Sequence, residues 1–192
     1  MQYLVIYAHP NPKSFNHAVK EQIETVLKSQ KKEFWIRDLY SLNFNPALSA
    51  ADLTQLAQGA VPQDIQTEQD FVRKADTLIF VHPVWWFGMP AVLKGYIDRV
   101  FSYGFAYRVT KKGLEGLLSD KKVMIFNTTG GMEEDYQKQG YIEGIKTTVE
   151  RGIFEFCGMK VILHKYFYAV PSVDAKAREA MLAEIKNIQF AS

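Results

Sequence analysis

The stretch VHPVWWFGMPAVLKGYIDRVF, residues 81–101, decides how the chain is organised. Apolar residues from Thr77 onward rise like a buried strand and stop at Pro83, which has no backbone N–H and so ends a ladder of hydrogen bonds. Two tryptophans, a phenylalanine and a glycine follow, and a helical pattern starts after Pro90. Trp85 and Trp86 are adjacent. On a strand they face opposite sides, and on a helix they sit about 100° apart. A simple core position has no use for both, so the pair marks a strand end that offers aromatic surface to something flat.

The same order of strand, loop and helix recurs on both sides of this segment. Upstream, YLVIYA (3–8) is a continuous apolar run, as expected of a strand buried on both faces. HPNPKSFN (9–16) follows, with Ser14 and Asn16 as helix-cap candidates. Val19, Ile23, Val26 and Leu27 then repeat at helical spacing. EFWIRD (33–38) reads as a second strand. Residues 41–66 read as mostly irregular, with a short helix over 49–57 capped by Ser49. A helix is expected over 67–75, a third strand over 77–82 and a helix over 91–103. Downstream, KVMIFNTTGG (122–131) predicts a fourth strand running into a glycine turn. Residues 141–157 predict a helix, 159–170 a fifth strand and 174–190 a closing helix. Strands that alternate with helices and lack polar alternation point to a parallel sheet covered on both faces. Five strands suit the doubly wound, flavodoxin-like α/β order 2-1-3-4-5, in one domain over residues 1–192.

Composition narrows the classes. The 192 residues are 47% hydrophobic and 23% charged, with a net charge of +2. Lysines are scattered without a basic stripe, which argues against nucleic acid as a partner. The single cysteine, Cys157, lies between Phe156 and Gly158 and reads as a small core residue. It allows no internal disulfide and suits a reducing cytoplasm. The apolar stretch 77–93 is broken by His82, Pro83 and Pro90, so it is too short for a membrane span. MQYLVIYAHP has no basic leader region and reads as a strand. A soluble, cytoplasmic protein is expected.

In an open parallel sheet, ligands bind beyond the carboxyl ends of the strands where the strand order reverses. For the order 2-1-3-4-5 that point lies between strands one and three, beside strand four. The three loops there are HPNPKSFN, HPVWWFG and TTGGMEEDY, the least ordinary segments of the chain. The first leads into a helix N-terminus carrying Ser14 and Asn16, suited to an anion such as phosphate, with His9 facing it. The second supplies aromatic faces and free backbone N–H groups after Pro83. The third brings the hydroxyls of Thr128 and Thr129 and two glycines that permit close backbone approach. A flat heteroaromatic with a phosphate tail satisfies all three, and flavin is the natural candidate. Other chemistries lack an anchor: there is no G-x-G-x-x-G, no P-loop, no nucleophile elbow, and no metal-ligand spacing among the histidines. His82 and His164 read as core or sheet-edge residues.

The segments YAHPNPKSFNHAVKE, DLYSLNFNP, WWFGMPAVLKGYIDRVF, GFAY and NTTGG resemble the NAD(P)H:quinone oxidoreductases of the flavodoxin-like superfamily, over residues 3 to about 165. The resemblance implies a homodimeric flavoenzyme with its active site at the subunit interface. It implies that His9, Ser14, Phe15 and Asn16 hold the phosphate side of the cofactor. Pro83, Val84, Trp85, Trp86 and Phe87 would line the isoalloxazine, with Trp86 and Phe87 stacking. Thr128, Thr129, Gly130 and Gly131 would hold its pyrimidine edge, and Tyr136 would place its hydroxyl near that edge. Gly130, Gly131 and Tyr136 would stabilise the charge of the reduced flavin. Tyr107, with Trp86, would border the substrate pocket. The implied reaction is ping-pong: NAD(P)H gives hydride to flavin and leaves, and a quinone then takes its place.

Two departures from the family pattern stand out. A histidine that partners the tyrosine in vertebrate members is replaced here by Ile142. The insert after NFNP and the C-terminal tail, which help hold the adenine half of FAD in those members, are short or missing. FMN therefore stands beside FAD as the expected cofactor. Short members also resemble ancillary flavoproteins of potassium-efflux systems, which gives an alternative role with a membrane-transporter partner. A flavodoxin-type electron carrier fits less well, because such carriers are acidic and this chain is mildly basic.

Overall fold

The computed structural model describes residues 1–190. The chain alternates strands and helices from the start: β1 (Gln2–Tyr7), α1 (Phe15–Ser29), β2 (Glu33–Asp38), α2 (Ala50–Ala57), α3 (Gln63–Lys74), β3 (Thr77–Pro83) and α4 (Ala91–Val100). A hairpin, β4 (Tyr107–Thr110) and β5 (Gly113–Gly116), then precedes β6 (Lys122–Thr128). Two short helices, α5 (Glu133–Lys138) and α6 (Tyr141–Ile145), run into a π-helical stretch, Lys146–Glu155, before β7 (Lys160–Phe167) and α7 (Ala175–Lys186).

Five strands form one sheet in the order β2-β1-β3-β6-β7, every neighbouring pair parallel. This is the expected order 2-1-3-4-5, the hairpin lying outside the sheet. Both faces of the sheet are apolar, which explains strands without polar alternation. Leu4, Ile6, Leu78, Phe80, Val123 and Ile125 pack on one side with Leu93, Tyr96 and Phe154. Tyr3, Val5, Ile79, Val81 and Phe126 pack on the other with Val19, Ile23, Leu27 and Ile185. The two clusters hold most of the hydrophobic free energy, about 25 cal/mol per Å² of apolar surface removed from water.

Helix boundaries follow local chemistry. Ser49 caps α2 in a reciprocal capping box with Asp52. Asp174 accepts from the Ala177 backbone N–H and starts α7, which ends at Lys186 rather than at 190. Helix α3 begins at Gln63 rather than 67, because Pro62 is pre-set for a helix entry and Ile65 joins the core. Helix α4 stops at Val100, three residues before the expected end. The segment 141–157 is a short α-helix continued as a π-helix. It is preceded by α5, which the sequence reading did not anticipate. Gly140, at φ 72°, separates α5 from α6.

Candidate active site

Each loop at the carboxyl edge of the sheet is built by its own local chemistry. In the first, Ser14 caps α1: its Oγ accepts from the His17 N–H at 3.1 Å. Asn16 is no cap. It lies inside the first turn, is only 3% exposed, and points across to the sheet, where its Nδ2 donates to Thr128 Oγ1 at 2.8 Å. Asn16 Oδ1 is buried and has no partner. His9 is partly desolvated, which holds its imidazole below the ordinary value. Its Nδ1 accepts from the Asn11 N–H at 3.0 Å, a role for an unprotonated nitrogen.

The second loop is a tight turn on bulky residues. Trp85 and Gly88 exchange backbone hydrogen bonds of 3.0 and 2.9 Å. Between them Trp86 and Phe87 both adopt left-handed backbones, φ 49° and 57°. That is the hairpin turn usually built from Asn and Gly, and large side chains there cost of order 1–3 kcal/mol each. The strain displays Trp86, which is 97% exposed. Phe87 turns back and stacks on Tyr141, ring centroids 3.8 Å apart.

The third loop leaves β6 at Thr128. Thr129 does not offer its hydroxyl outward as expected; it donates to the Gly131 carbonyl at 2.8 Å and ties the glycine turn shut. Gly130 faces open space, whereas a Cβ on Gly131 would meet the Tyr136 ring at 2.9 Å. Tyr136 therefore lies flush against the turn. Burial raises its pKa, so it keeps its proton at neutral pH.

These three loops meet. Asn16 to Thr128 joins the first and third. The ring of His9 lies 5.8 Å from Trp85, joining the first and second. Phe87 lies 5.8 Å from Tyr136, and the Val84 N–H donates to the Thr128 carbonyl at 2.8 Å, joining the second and third. Among the described residues, no group of His, Cys, Asp or Glu side chains is arranged to hold a metal, and no helix is long and apolar enough to cross a membrane.

Known proteins share this arrangement. Residues 1–188 match a family model described as a flavodoxin-like fold. An NAD(P)H oxidoreductase of Haemophilus influenzae, itself uncharacterized, is 39% identical, over 95% of this chain and 91% of its own. The NAD(P)H dehydrogenase [quinone] 1 of Cavia porcellus is 34% identical over 96% of this chain and 74% of its own. The crystal structure of a putative quinone reductase from Klebsiella pneumoniae superposes with a TM-score of 0.91 at 33% identity, covering 97% of this chain and 82% of that one. The chain belongs to the NAD(P)H:quinone oxidoreductase family. As a member it is an oxidoreductase of the NAD(P)H dehydrogenase (quinone) type. The reading as an ancillary transporter subunit finds no support among these relatives.

Against the family pattern, Ile142 is a buried residue of the same core cluster as Tyr136. The position of the family histidine is thus apolar rather than filled by another acid or base. Tyr107 does not join the three loops. It sits on the β4–β5 hairpin, 5.2 Å from the Phe156 ring, and lines a separate cavity of about 330 Å³ with Lys94, Ile97 and Phe101. Two groups of residues escaped the sequence reading. Tyr141 and Tyr168 flank Tyr136, at 5.8 and 6.0 Å between rings. Arg178 lines a cavity of about 520 Å³ together with Lys13, Ser14, Phe15 and Leu182. Nothing around Arg178 in the sequence marks it; only the fold brings α7 to the first loop.

A flavin nucleotide fits the residues present. The buried Asn16 Oδ1 lacks a donor that a sugar-chain hydroxyl supplies, the α1 N-terminus suits phosphate, and Gly130 leaves its side of the turn open.

Proposed function

We propose that this chain is a flavin-dependent NAD(P)H:quinone oxidoreductase acting as a homodimer in the cytoplasm. When bound, a flavin would supply a two-electron hydride carrier between NAD(P)H and a quinone, the two occupying the same place in turn. The single observation that carries this reading is Asn16 Oδ1, a partnerless acceptor buried where three loops converge.

The chain's own residues bind and orient. Ser14, Phe15 and the first-turn N–H groups of α1 take the phosphate side. The cavity lined by Lys13, Arg178 and Glu179 continues from Ser14 and Phe15, and its size, about 520 Å³, leaves room for the second nucleotide of FAD. Pro83 to Phe87 and Thr128 to Gly131 would form the walls around its ring. Tyr136 holds its proton and donates a hydrogen bond to negative charge that develops beside the glycine turn. Ile142 contributes shape and no proton. Trp86, exposed on a strained turn, and Tyr107, remote from its own chain's loops, both favour a site completed by a second subunit.

Mass spectrometry of the released cofactor tests the reading, together with oxidation of NADPH by a simple benzoquinone. FAD and turnover are expected. A colourless protein that ignores both added FMN and added FAD overturns it, and FMN alone overturns the role given to the Arg178 cavity. Tyr136→Phe should lower kcat by roughly 10²-fold, the usual cost of one preorganised donor, with flavin affinity unchanged. Loss of bound flavin in that variant would refute the role assigned to Tyr136.

A further inference from the structure

Behind the loops lies a buried polar chain that the reaction does not use. Three neighbouring strands each give one residue to the same face of the sheet: His82 from β3, Asn127 from β6 and His164 from β7. A bulge makes the third possible. Val123 pairs with Val161 and Met124 with Leu163, so Ile162 is left over. The extra residue reverses the facing of everything after it, turning His164, Tyr166 and Tyr168 toward Asn127.

Hydrogen-bond accounting fixes the direction of the chain. Asn127 Nδ2 donates to the His82 carbonyl at 3.1 Å and sits 3.1 Å from His82 Nε2, so the amide nitrogen faces His82. Asn127 Oδ1 then faces His164 Nε2 at 2.8 Å, which must carry a hydrogen. His82 Nδ1 lies 2.9 Å from the Pro83 carbonyl and must also be N–H. At the far end, His164 Nδ1 lies 2.7 Å from Glu150 Oε1 on the π-helix. With Nε2 protonated, that contact needs one more proton, held either on the carboxyl or as an imidazolium beside a carboxylate. If the pair loses it, the carboxylate claims Nδ1–H and Nε2 becomes a lone pair facing Asn127 Oδ1. Asn127 must then turn over, and its oxygen would oppose the His82 carbonyl.

The near end of the chain is the base of the aromatic loop. The Pro83 carbonyl is held by His82 and the next N–H, of Val84, by the Thr128 carbonyl. That peptide plane launches the Trp85–Gly88 turn. We propose that His164, Asn127 and His82 are positioning residues for the flavin loop, and that the proton shared by Glu150 and His164 sets their direction. This rests on the flavin reading above. Other charges face the pair: Lys146, Arg151 and Glu143 lie near Glu150, Lys146 acts on His164 as well, and the Tyr166 hydroxyl lies 3.3 Å from His164 Nδ1. Burial pushes Glu150 up and His164 down, which agrees with a proton on the carboxyl.

The test measures flavin affinity by fluorescence between pH 6 and 9 in the wild type, Glu150→Gln and Asn127→Leu, alongside ¹⁵N NMR of the histidine rings. The side-chain amide of the Glu150→Gln variant donates to Nδ1 at every pH. Wild-type affinity should weaken roughly three- to ten-fold with rising pH, the cost of one lost hydrogen bond. E150Q should be flat at the tight value and N127L flat at the weak one. The ¹⁵N shifts should report Nε2–H on His164 and Nδ1–H on His82 at pH 6. A flat wild-type profile, an unchanged slope in E150Q, or a His164 ring at pH 6 that is neutral with its proton on Nδ1 and a bare Nε2 overturns the proposal. Wild-type protein that binds no flavin at any pH refutes the cofactor reading instead, and the NMR tautomers still judge the chain of hydrogen bonds.

Discussion

Trp86 is the residue with the least structural reason for its identity. Its side chain is 97% exposed and its backbone is left-handed at φ 49°. A tryptophan there gives the fold nothing that glycine would not give more cheaply. Trp86→Gly should therefore raise unfolding stability by up to about 1 kcal/mol, because glycine accepts a positive φ without penalty. Turnover with quinone should fall in the same variant. A midpoint of urea unfolding that drops instead would mean that the indole is anchored, within its own chain or against the second subunit of the proposed dimer. Sequence reading singled out the tryptophan pair through its oddness. The reason for the oddness, two consecutive left-handed residues, is a backbone property that residue types other than glycine do not announce. Asn16 was equally visible but misassigned: the same polar residue caps a helix or reaches across to the sheet depending on a shift of two positions.

At the scale of elements, α4 is set by a close approach. A Cβ on Gly95 would lie 2.1 Å from the Pro46 carbonyl oxygen and 2.4 Å from its Cβ. Four residues on, Arg99 donates to the Asn45 carbonyl at 3.0 Å and to buried Asp52 through Nε and Nη2. The irregular NFNP segment is thus clamped to the helix that follows the aromatic loop. Gly95→Ala should destabilise the protein by about 3 kcal/mol or more, as overpacking against backbone does. A near-neutral effect in thermal melts would show that residues 45–47 move aside freely. The main strands and most helices were legible because their apolar periodicity is strong. The β4–β5 hairpin was not: its turn is Lys111-Lys112, without the Asn-Gly pair that marks such turns. Helix α5 was hidden for a related reason, since its only buried residue is Tyr136 and no apolar repeat exists to read.

Across the whole molecule, buried titratable groups set the response to acid. Burial pushes His82 from 6.5 down to about 4 and His164 down to about 3. Between those values and 6.5 the unfolded chain binds more protons than the folded one, so stability rises with pH through that window. The contribution is complete above about 6.5 and is lost as pH falls toward the folded values. Glu150, pushed up by burial, works in the opposite sense, its stabilisation shrinking as pH rises. Two histidines against one carboxyl predict a net loss in acid. Urea midpoints should fall between pH 6.5 and 4, and His82→Phe should flatten the mid-window slope by about 1.4 kcal/mol per pH unit. A slope that H82F leaves untouched would show that this ring is not the titrating group. The convergence of the three loops at the carboxyl edge of the sheet was readable from topology alone, whereas this polar chain depends on a bulge that no residue type foretells. The sulfur inventory has its own chemical outcome. The lone cysteine, Cys157, is buried, and burial pushes its thiol up to about 11. Quinones are Michael acceptors that arylate thiolates, and a folded protein with this cysteine keeps its one thiol out of reach of the electrophiles it would consume.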